Sequence, residues 1–210
     1  MATITPTITT ADPHEYRDQM NLIKSYAEGV HIDFSGGVFT PNELLPIEDA
    51  WRDDKLITHV HIMCHDALEV IEDVISLEAD LVILHIESEN VKEALERLYE
   101  NGTRAGLALL AESSVADIED LEVDGFFEHV LIFGGHLGFQ GGSADLSQLH
   151  KVQEIKEIYP EVEIGWDGGV NDTNAAQIAE AGVDVLNVGG FLKNSKDPQK
   201  AYDTLTSLVS

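Results

Sequence analysis

Short apolar runs and longer amphipathic stretches alternate along the whole chain. Runs rich in Val, Ile and Leu predict strands at residues 4–10, 30–34, 57–63, 81–85, 104–109, 129–133, 162–166 and 185–188. Such near-continuous apolar runs suit a sheet buried on both faces. Apolar residues three and four apart predict helices over 13–28, 46–52, 67–78, 90–100, 114–121, 146–158, 174–181 and 198–208. Leu68, Ile71, Val74 and Ile75 show this spacing in the 67–78 stretch. The punctuation agrees. Asp12 precedes Pro13, pairing an N-cap with a proline whose fixed φ suits the first helical turn. Ser113 or Ser114 can cap the 114–121 helix, and Asn101-Gly102 ends the 90–100 helix with residues suited to left-handed geometry.

Eight strand-then-helix units in succession predict a parallel sheet covered by helices, and eight favour closure into a (β/α)8 barrel. An open doubly wound sheet is the alternative, but no G-x-G-x-x-G follows the first strand. With 210 residues and no linker or low-complexity segment, the expectation is one barrel domain spanning residues 1–210.

Composition narrows the setting. The chain is 43% hydrophobic and 24% charged, as in soluble globular proteins. Cys64 is the only cysteine, which excludes an intrachain disulfide. No apolar run approaches the roughly 20 residues of a membrane span, and Met1-Ala2-Thr3-Ile4-Thr5 lacks the basic and apolar regions of a signal peptide. A cytoplasmic location is expected. The net charge is −27, with 12 Lys and Arg against 39 Asp and Glu. Such a field disfavours nucleic acid and anionic membranes as partners. An anionic substrate would need strong local compensation.

In a parallel barrel, chemistry sits at the C-terminal ends of the strands. The second strand carries His31 and Asp33, spaced by two and therefore on one face. The third carries His59, His61 and Met63 at the same spacing, and the seventh ends at Asp167. Imidazoles and carboxylates from three strand ends suit a divalent cation such as Zn²⁺, Fe²⁺, Mn²⁺ or Co²⁺. His59 lies one step deeper than His61, which favours a packing or supporting role. His85, His129, His136 and His150 show no comparable arrangement, although His85 and His136 lie near the same rim. Glycines form a second pattern: Gly138-Phe139-Gln140-Gly141-Gly142, Gly168-Gly169 and Gly189-Gly190 follow strands six, seven and eight. Glycine lets backbone N–H groups turn toward an anion, so these loops predict a phosphate site that needs few cationic side chains.

Taken in order, these residues resemble the ribulose-phosphate 3-epimerase family over nearly the whole chain. The resemblance rests on Thr5-Pro6-Thr7-Ile8, His31-Ile32-Asp33, Gly37-Val38-Phe39-Thr40-Pro41-Asn42, Val60-His61-Ile62-Met63, Gly106-Leu107-Ala108-Leu109, Gly138-Phe139, Trp166-Asp167-Gly168-Gly169-Val170-Asn171 and Val188-Gly189-Gly190. It implies a TIM barrel of the ribulose-phosphate-binding type. It implies a single divalent metal on His31, Asp33, His61 and Asp167, with Asp33 and Asp167 as the acid/base pair. It further implies substrate contacts from Thr7, His61, Met63, Gly138, Phe139, Gln140, Gly141, Gly168, Gly169, Gly189 and Gly190. The implied partner is a phosphorylated ketose, in a homo-oligomeric enzyme. The implied reaction interconverts D-ribulose 5-phosphate and D-xylulose 5-phosphate through an enediolate, one aspartate serving each face of C3.

The chain departs from the family pattern in its walls. Ser35-Gly36-Gly37-Val38 stands where the family has Met-Asp-Gly-His, Phe133 where it has a methionine, Gln140 inside the Gly-Phe-Gly-Gly loop, and Gly190 in place of a serine. These changes leave open an epimerase for a different ketose phosphate, for example a six-carbon one, or a non-catalytic relative that binds sugar phosphate or metal. Decarboxylase and aldolase relatives carry Asp-x-Lys-x-x-Asp, and His31-Ile32-Asp33-Phe34-Ser35-Gly36 offers no such lysine.

Overall fold

The structure, a computed structural model, describes residues 1–135 and 141–210. Eight parallel strands close in sequence order into a barrel. They are β1 Thr3–Ile8, β2 Gly29–Ser35, β3 Ile57–Met63, β4 Leu81–His85, β5 Ala105–Leu109, β6 His129–Phe133, β7 Glu163–Asp167 and β8 Val185–Val188. Closure runs through β1 and β8, where Thr5 pairs with Asn187 and Pro6 with Val188. The surrounding helices are α1 Pro13–Ile23, α2 Ile71–Ser76, α3 Val91–Asn101, α4 Ala116–Asp120, α5 His150–Ile158, α6 Ala175–Glu180, α7 Gly190–Lys193 and α8 Pro198–Leu208. Among the described residues, no helix is long and apolar enough to cross a membrane.

The period-two alternation of each strand sorts its side chains. Ile32, Val60, Leu84, Leu107, Ile132, Trp166 and Leu186 face outward into one continuous core shared with the helices. Each such side chain contributes roughly 1.5–3 kcal/mol on burial. Leu81, Ile83, Ala108 and Leu131 form a small separate cluster inside the barrel. Much of the remaining interior is polar: Thr5, His31, Asp33, His59, His61, His85, His129, Asp167 and Asn187 are all buried. Buried polar groups are costly without partners, so this interior is built for chemistry rather than for packing alone.

Several sequence expectations hold locally. Asp12 caps α1, its Oδ1 accepting from the His14 N–H at 2.7 Å. Gly102 ends α3 at φ 79°. Others differ. The expected 46–52 helix is only a single 3-10 turn, Ile47–Asp49, after which Ala50 becomes extended. The Trp51 carbonyl then accepts the Tyr16 hydroxyl at 2.5 Å, a tertiary anchor that overrides the local helical pattern. The 67–78 stretch divides into a turn, Ala67–Glu69, and α2. Neither Ser113 nor Ser114 caps α4 with its side chain, because the Ser113 hydroxyl donates to Glu87 instead. The Gly189-Gly190 segment, read as a loop, leads straight into the short helix α7.

Candidate active site

Strands β2, β3 and β7 bring the four expected ligands together at the C-terminal mouth. Register pairs Asp33 with His61 across β2 and β3, while Asp167 reaches in from β7. One ligand atom from each of His31, Asp33, His61 and Asp167 lies within 4.8 Å of all the others. His31 Nε2 is 3.3 Å from Asp33 Oδ1 and 3.6 Å from Asp167 Oδ2. His61 Nδ1 is 3.0 Å from Asp33 Oδ1 and 4.0 Å from Asp167 Oδ2. Ligands about 2.1 Å from a tetrahedral cation stand about 3.4 Å from one another, so the spacing fits one ion. Both ring nitrogens of His31 are buried and, among the described residues, without a hydrogen-bond partner.

The two carboxyls are poised oppositely. Burial opposes ionisation of Asp33, but the imidazoles of His31 and His61 outweigh it and hold its carboxyl below the usual range. The Thr9 hydroxyl also donates to Asp33 Oδ2 at 2.6 Å. Asp167 is pushed well up, first by burial and then by the negative charge of Asp33, against a smaller opposing contribution from the Gly168 N–H. The two neighbouring carboxyls are thus pushed in opposite directions, as happens when two carboxyls share one buried site.

A hydrogen-bonded chain behind His61 holds its ring in place. His61 Nε2 lies 2.8 Å from His85 Nε2, and His85 Nδ1 lies 3.0 Å from Glu87 Oε2. Glu87 Oε1 accepts the Leu110 N–H at 3.0 Å and the Ser113 hydroxyl. Behind Leu110, the buried Lys151 donates to the carbonyls of Leu110 and Ala111 at 2.7 and 3.2 Å. Burial lowers the His85 pKa to about 4 although Glu87 opposes the shift, so near neutral pH His85 carries one proton. Glu87 is the stronger acceptor, so His85 Nδ1–H donates to it. His85 Nε2 can then accept from His61 Nε2–H, which leaves His61 Nδ1 available as a ligand atom beside Asp33 Oδ1. With His61 Nδ1 3.0 Å from Asp33 Oδ1 and ligand atoms of His31 and Asp167 close by, this residue set fits a metal. Position alone had placed His85 near the rim; its partner Glu87, two residues on, is what ties it into the site.

Above the cluster lies a cavity of about 480 Å³ whose wall includes Thr7, Thr9, Asp33, Met63, Phe133 and Asp167. Gly135, Gly141, Gly168, Gly169, Gly189 and Gly190 form another part of that wall. Among the described wall residues there is no Lys or Arg. The glycine loops interlock. A Cβ on Gly168 (φ 110°) would stand 2.3 Å from the Gly135 nitrogen, and one on Gly169 (φ 69°) would stand 2.1 Å from the Ala144 nitrogen. A Cβ on Gly190 would come within 2.6 Å of the Gly141 Cα. Asn171 and Asn174 pin this assembly, their amides donating to the Gly169 carbonyl at 3.1 and 2.9 Å.

The expected substrate contacts thus divide. Thr7, Met63, Gly141, Gly168, Gly169, Gly189 and Gly190 lie on the cavity wall. His61 is fully buried and belongs to the ligand cluster rather than to the wall. Gly138, Phe139 and Gln140, together with His136, lie outside the described residues. His59 sits deeper, with its ring centroid 6.4 Å from that of His129. Ser35, at a departure from the family pattern, hydrogen-bonds Thr40 at 2.6 Å and is not part of the wall. Thr9 and Asn187 are wall residues that the sequence reading did not single out.

A model of the family described as Ribulose-phosphate 3 epimerase matches residues 3–192. The chain is 28% identical over 215 aligned positions to ribulose-phosphate 3-epimerase from Bacillus subtilis (strain 168), covering 98% of each chain. It is 28% identical over 180 positions to the protein of the same name from Chlamydia trachomatis serovar D, covering 81% of this chain and 76% of that one. Among solved structures it superposes on a 3-hexulose-6-phosphate synthase with TM-score 0.73 at 14% identity, covering 99% of this chain and 100% of that one. Its superposition on the Salmonella typhimurium protein so named gives TM-score 0.72 at 13% identity, covering 99% and 98%. At such identities the structural likeness speaks to the fold alone.

Proposed function

The chain belongs to the ribulose-phosphate 3-epimerase family, a family of isomerases, and we propose that it is a metal-dependent ketose-phosphate 3-epimerase that interconverts D-ribulose 5-phosphate and D-xylulose 5-phosphate. The observation that carries the reading is the pair of buried carboxyls, Asp33 and Asp167, converging on one ligand cluster beside one cavity. Binding alone does not need such a pair. Inversion at a carbon does, because the proton must leave one face and return to the other.

His31, Asp33, His61 and Asp167 would hold a single divalent ion, of the Zn²⁺, Fe²⁺, Mn²⁺ or Co²⁺ class. When bound, it supplies positive charge that stabilises the negative charge developing on the ketone and hydroxyl oxygens as C3 loses its proton. Asp33 Oδ1 and Asp167 Oδ2 face the imidazoles, which leaves Asp33 Oδ2 and Asp167 Oδ1 for proton transfer. In one direction Asp33 takes the C3 proton while Asp167 delivers one to the opposite face. In the other direction the roles exchange. Thr9 holds Asp33 Oδ2 in place by its hydroxyl. Backbone N–H groups of Gly168, Gly169, Gly189 and Gly190, with Gly138, Phe139, Gln140 and Gly141 as further expected contacts, would take the phosphate. The absence of Lys and Arg from the described wall supports an anion site made from backbone.

The test is metal analysis followed by assay of the metal-saturated protein on a panel of five- and six-carbon ketose phosphates, with solvent isotope exchange at C3. We expect one ion per chain and turnover of D-ribulose 5-phosphate. A metal-loaded protein that exchanges no C3 proton on any ketose phosphate would overturn the reading.

A further inference from the structure

Asn187 is a polar residue in the short apolar strand β8. It pairs with Thr5 on β1 and with Asp167 on β7, is 2% exposed and lines the cavity. Its neighbours Leu186 and Val188 belong to the outer core, so Asn187 points to the interior. Asparagine is disfavoured in strands, and a buried amide needs partners. Yet among the described residues its Oδ1 has no hydrogen-bond partner. This sets it apart from Asn171 and Asn174, whose amide groups are both tied to the Gly169 loop. Among the described residues Asn187 makes no such clip: its Oδ1 is buried and unpartnered, in a residue that lines the cavity.

Its height in the barrel identifies what it can meet. Register places Asn187 level with Asp167, and Gly189 follows it by two positions. At about 3.3 Å rise per residue, roughly 6–7 Å separates the acid/base level from the glycine loop along this strand. A ketose 5-phosphate that reacts at C3 and anchors its phosphate at that loop must pass C4 and its hydroxyl along this stretch.

We propose that Asn187 is a specificity-determining residue that recognises the C4 hydroxyl by a hydrogen bond from its side-chain carboxamide. The inference rests on the proposed epimerase reading and extends it. The site selects a phosphorylated ketose with a hydroxyl between the reacting carbon and the phosphate-bearing carbon, and discriminates against a deoxy analogue there.

The test crosses a side-chain deletion with a substrate deletion. Metal-saturated wild type and Asn187→Val are each assayed on D-ribulose 5-phosphate and on its 4-deoxy analogue. Removing the hydroxyl should lower kcat/KM about 10- to 100-fold in wild type and less than about 3-fold in the variant. Calorimetry with the unreactive ribitol 5-phosphate and its 4-deoxy form should show the same loss of discrimination without any turnover. Inhibition by inorganic phosphate should be unchanged by the substitution. Equal discrimination in both proteins would overturn the inference. A loss of phosphate inhibition matching the loss on substrate would also overturn it, by placing Asn187 on the phosphate. Thermal melting checks the fold, and Asn187→Ala replaces a valine variant that fails to fold. If wild type turns over no ketose phosphate the epimerase reading fails, while the calorimetric pair still decides the Asn187 contact.

Discussion

Among the described residues, the barrel interior holds two histidine–carboxylate clusters, one at the mouth and one about 6–7 Å deeper by strand rise, and their contrast shows what makes a site. The deeper cluster joins His129 Nδ1 to Glu163 at 2.8 Å, with Arg104 3.8 Å from the same carboxylate and His59 alongside. Among the described residues, both clusters contain ring nitrogens without a hydrogen-bond partner: those of His31 at the mouth, and His59 Nδ1 and His129 Nε2 below. An orphaned nitrogen is therefore not sufficient. At the mouth two buried carboxyls converge with two imidazoles on one point beside a cavity. At the floor the carboxylate is paired with His129 and Arg104, and none of these residues belongs to the described metal-ligand group. The residue types are alike; convergence and a facing cavity separate them.

The strongest way to break this contrast is at the mouth. Asp33→Asn and Asp167→Asn should each lower epimerisation by about 10³-fold or more, because an amide keeps the shape but cannot relay a proton. Metal content must be measured in each variant, and C3 exchange separates the two faces. One variant exchanging the proton without forming the epimer would directly support two bases. Near wild-type epimerisation in both metal-loaded variants would remove the proposed roles.

A smaller effect is expected one layer behind. Glu87→Leu removes the acceptor that orients His85, and through it the His61 ring. Metal affinity should fall about 10- to 100-fold, read by competition with a chelator while melting confirms the fold. Unchanged affinity would show that His61 needs no such support.

The smallest expected effect is at the floor. Burial, the chief cause, lowers the His59 pKa to about 3, below an unfolded value of about 6.5. The unfolded chain therefore binds the extra proton between these values. Stability from the neutral ring is complete above about pH 6.5 and is lost as pH falls toward 3, with a slope of up to about 1.4 kcal/mol per pH unit. His59→Leu should flatten the stability profile over that window in denaturant titrations and change kcat/KM by less than about 3-fold. A large loss of activity would mean the two clusters are coupled.

The contrast also marks what could be read from sequence. His31, Asp33 and His61 were legible because spacing of two at a strand end fixes a shared face, and Asp167 because it closes an apolar run before Gly168-Gly169. The eight strands were legible for the same reason of period, whereas the 46–52 helix was misread because a long-range bond from Tyr16 decides that segment. Asn187 was hidden in a strand of only four residues, too short for alternation to stand out. Thr9 lies just past the end of β1, where no periodicity assigns a direction. Glu87 lies in the turn after β4, and its importance arises from partners 23 and 26 positions away.

The close fit among the glycine loops has a consequence for how such a barrel can change over generations. Gly168 abuts Gly135, Gly169 abuts Ala144 and Gly190 abuts Gly141, in each case with no room for one methyl group. A new side chain at one of these glycines must displace backbone belonging to another loop, so a tolerated change there requires a second change elsewhere. Thr9, Met63, Phe133 and Asn187 form the wall as side chains and can be exchanged one at a time. Variation in what the barrel accepts is therefore open to single steps on the side-chain wall, while the side built from backbone is inherited as a unit.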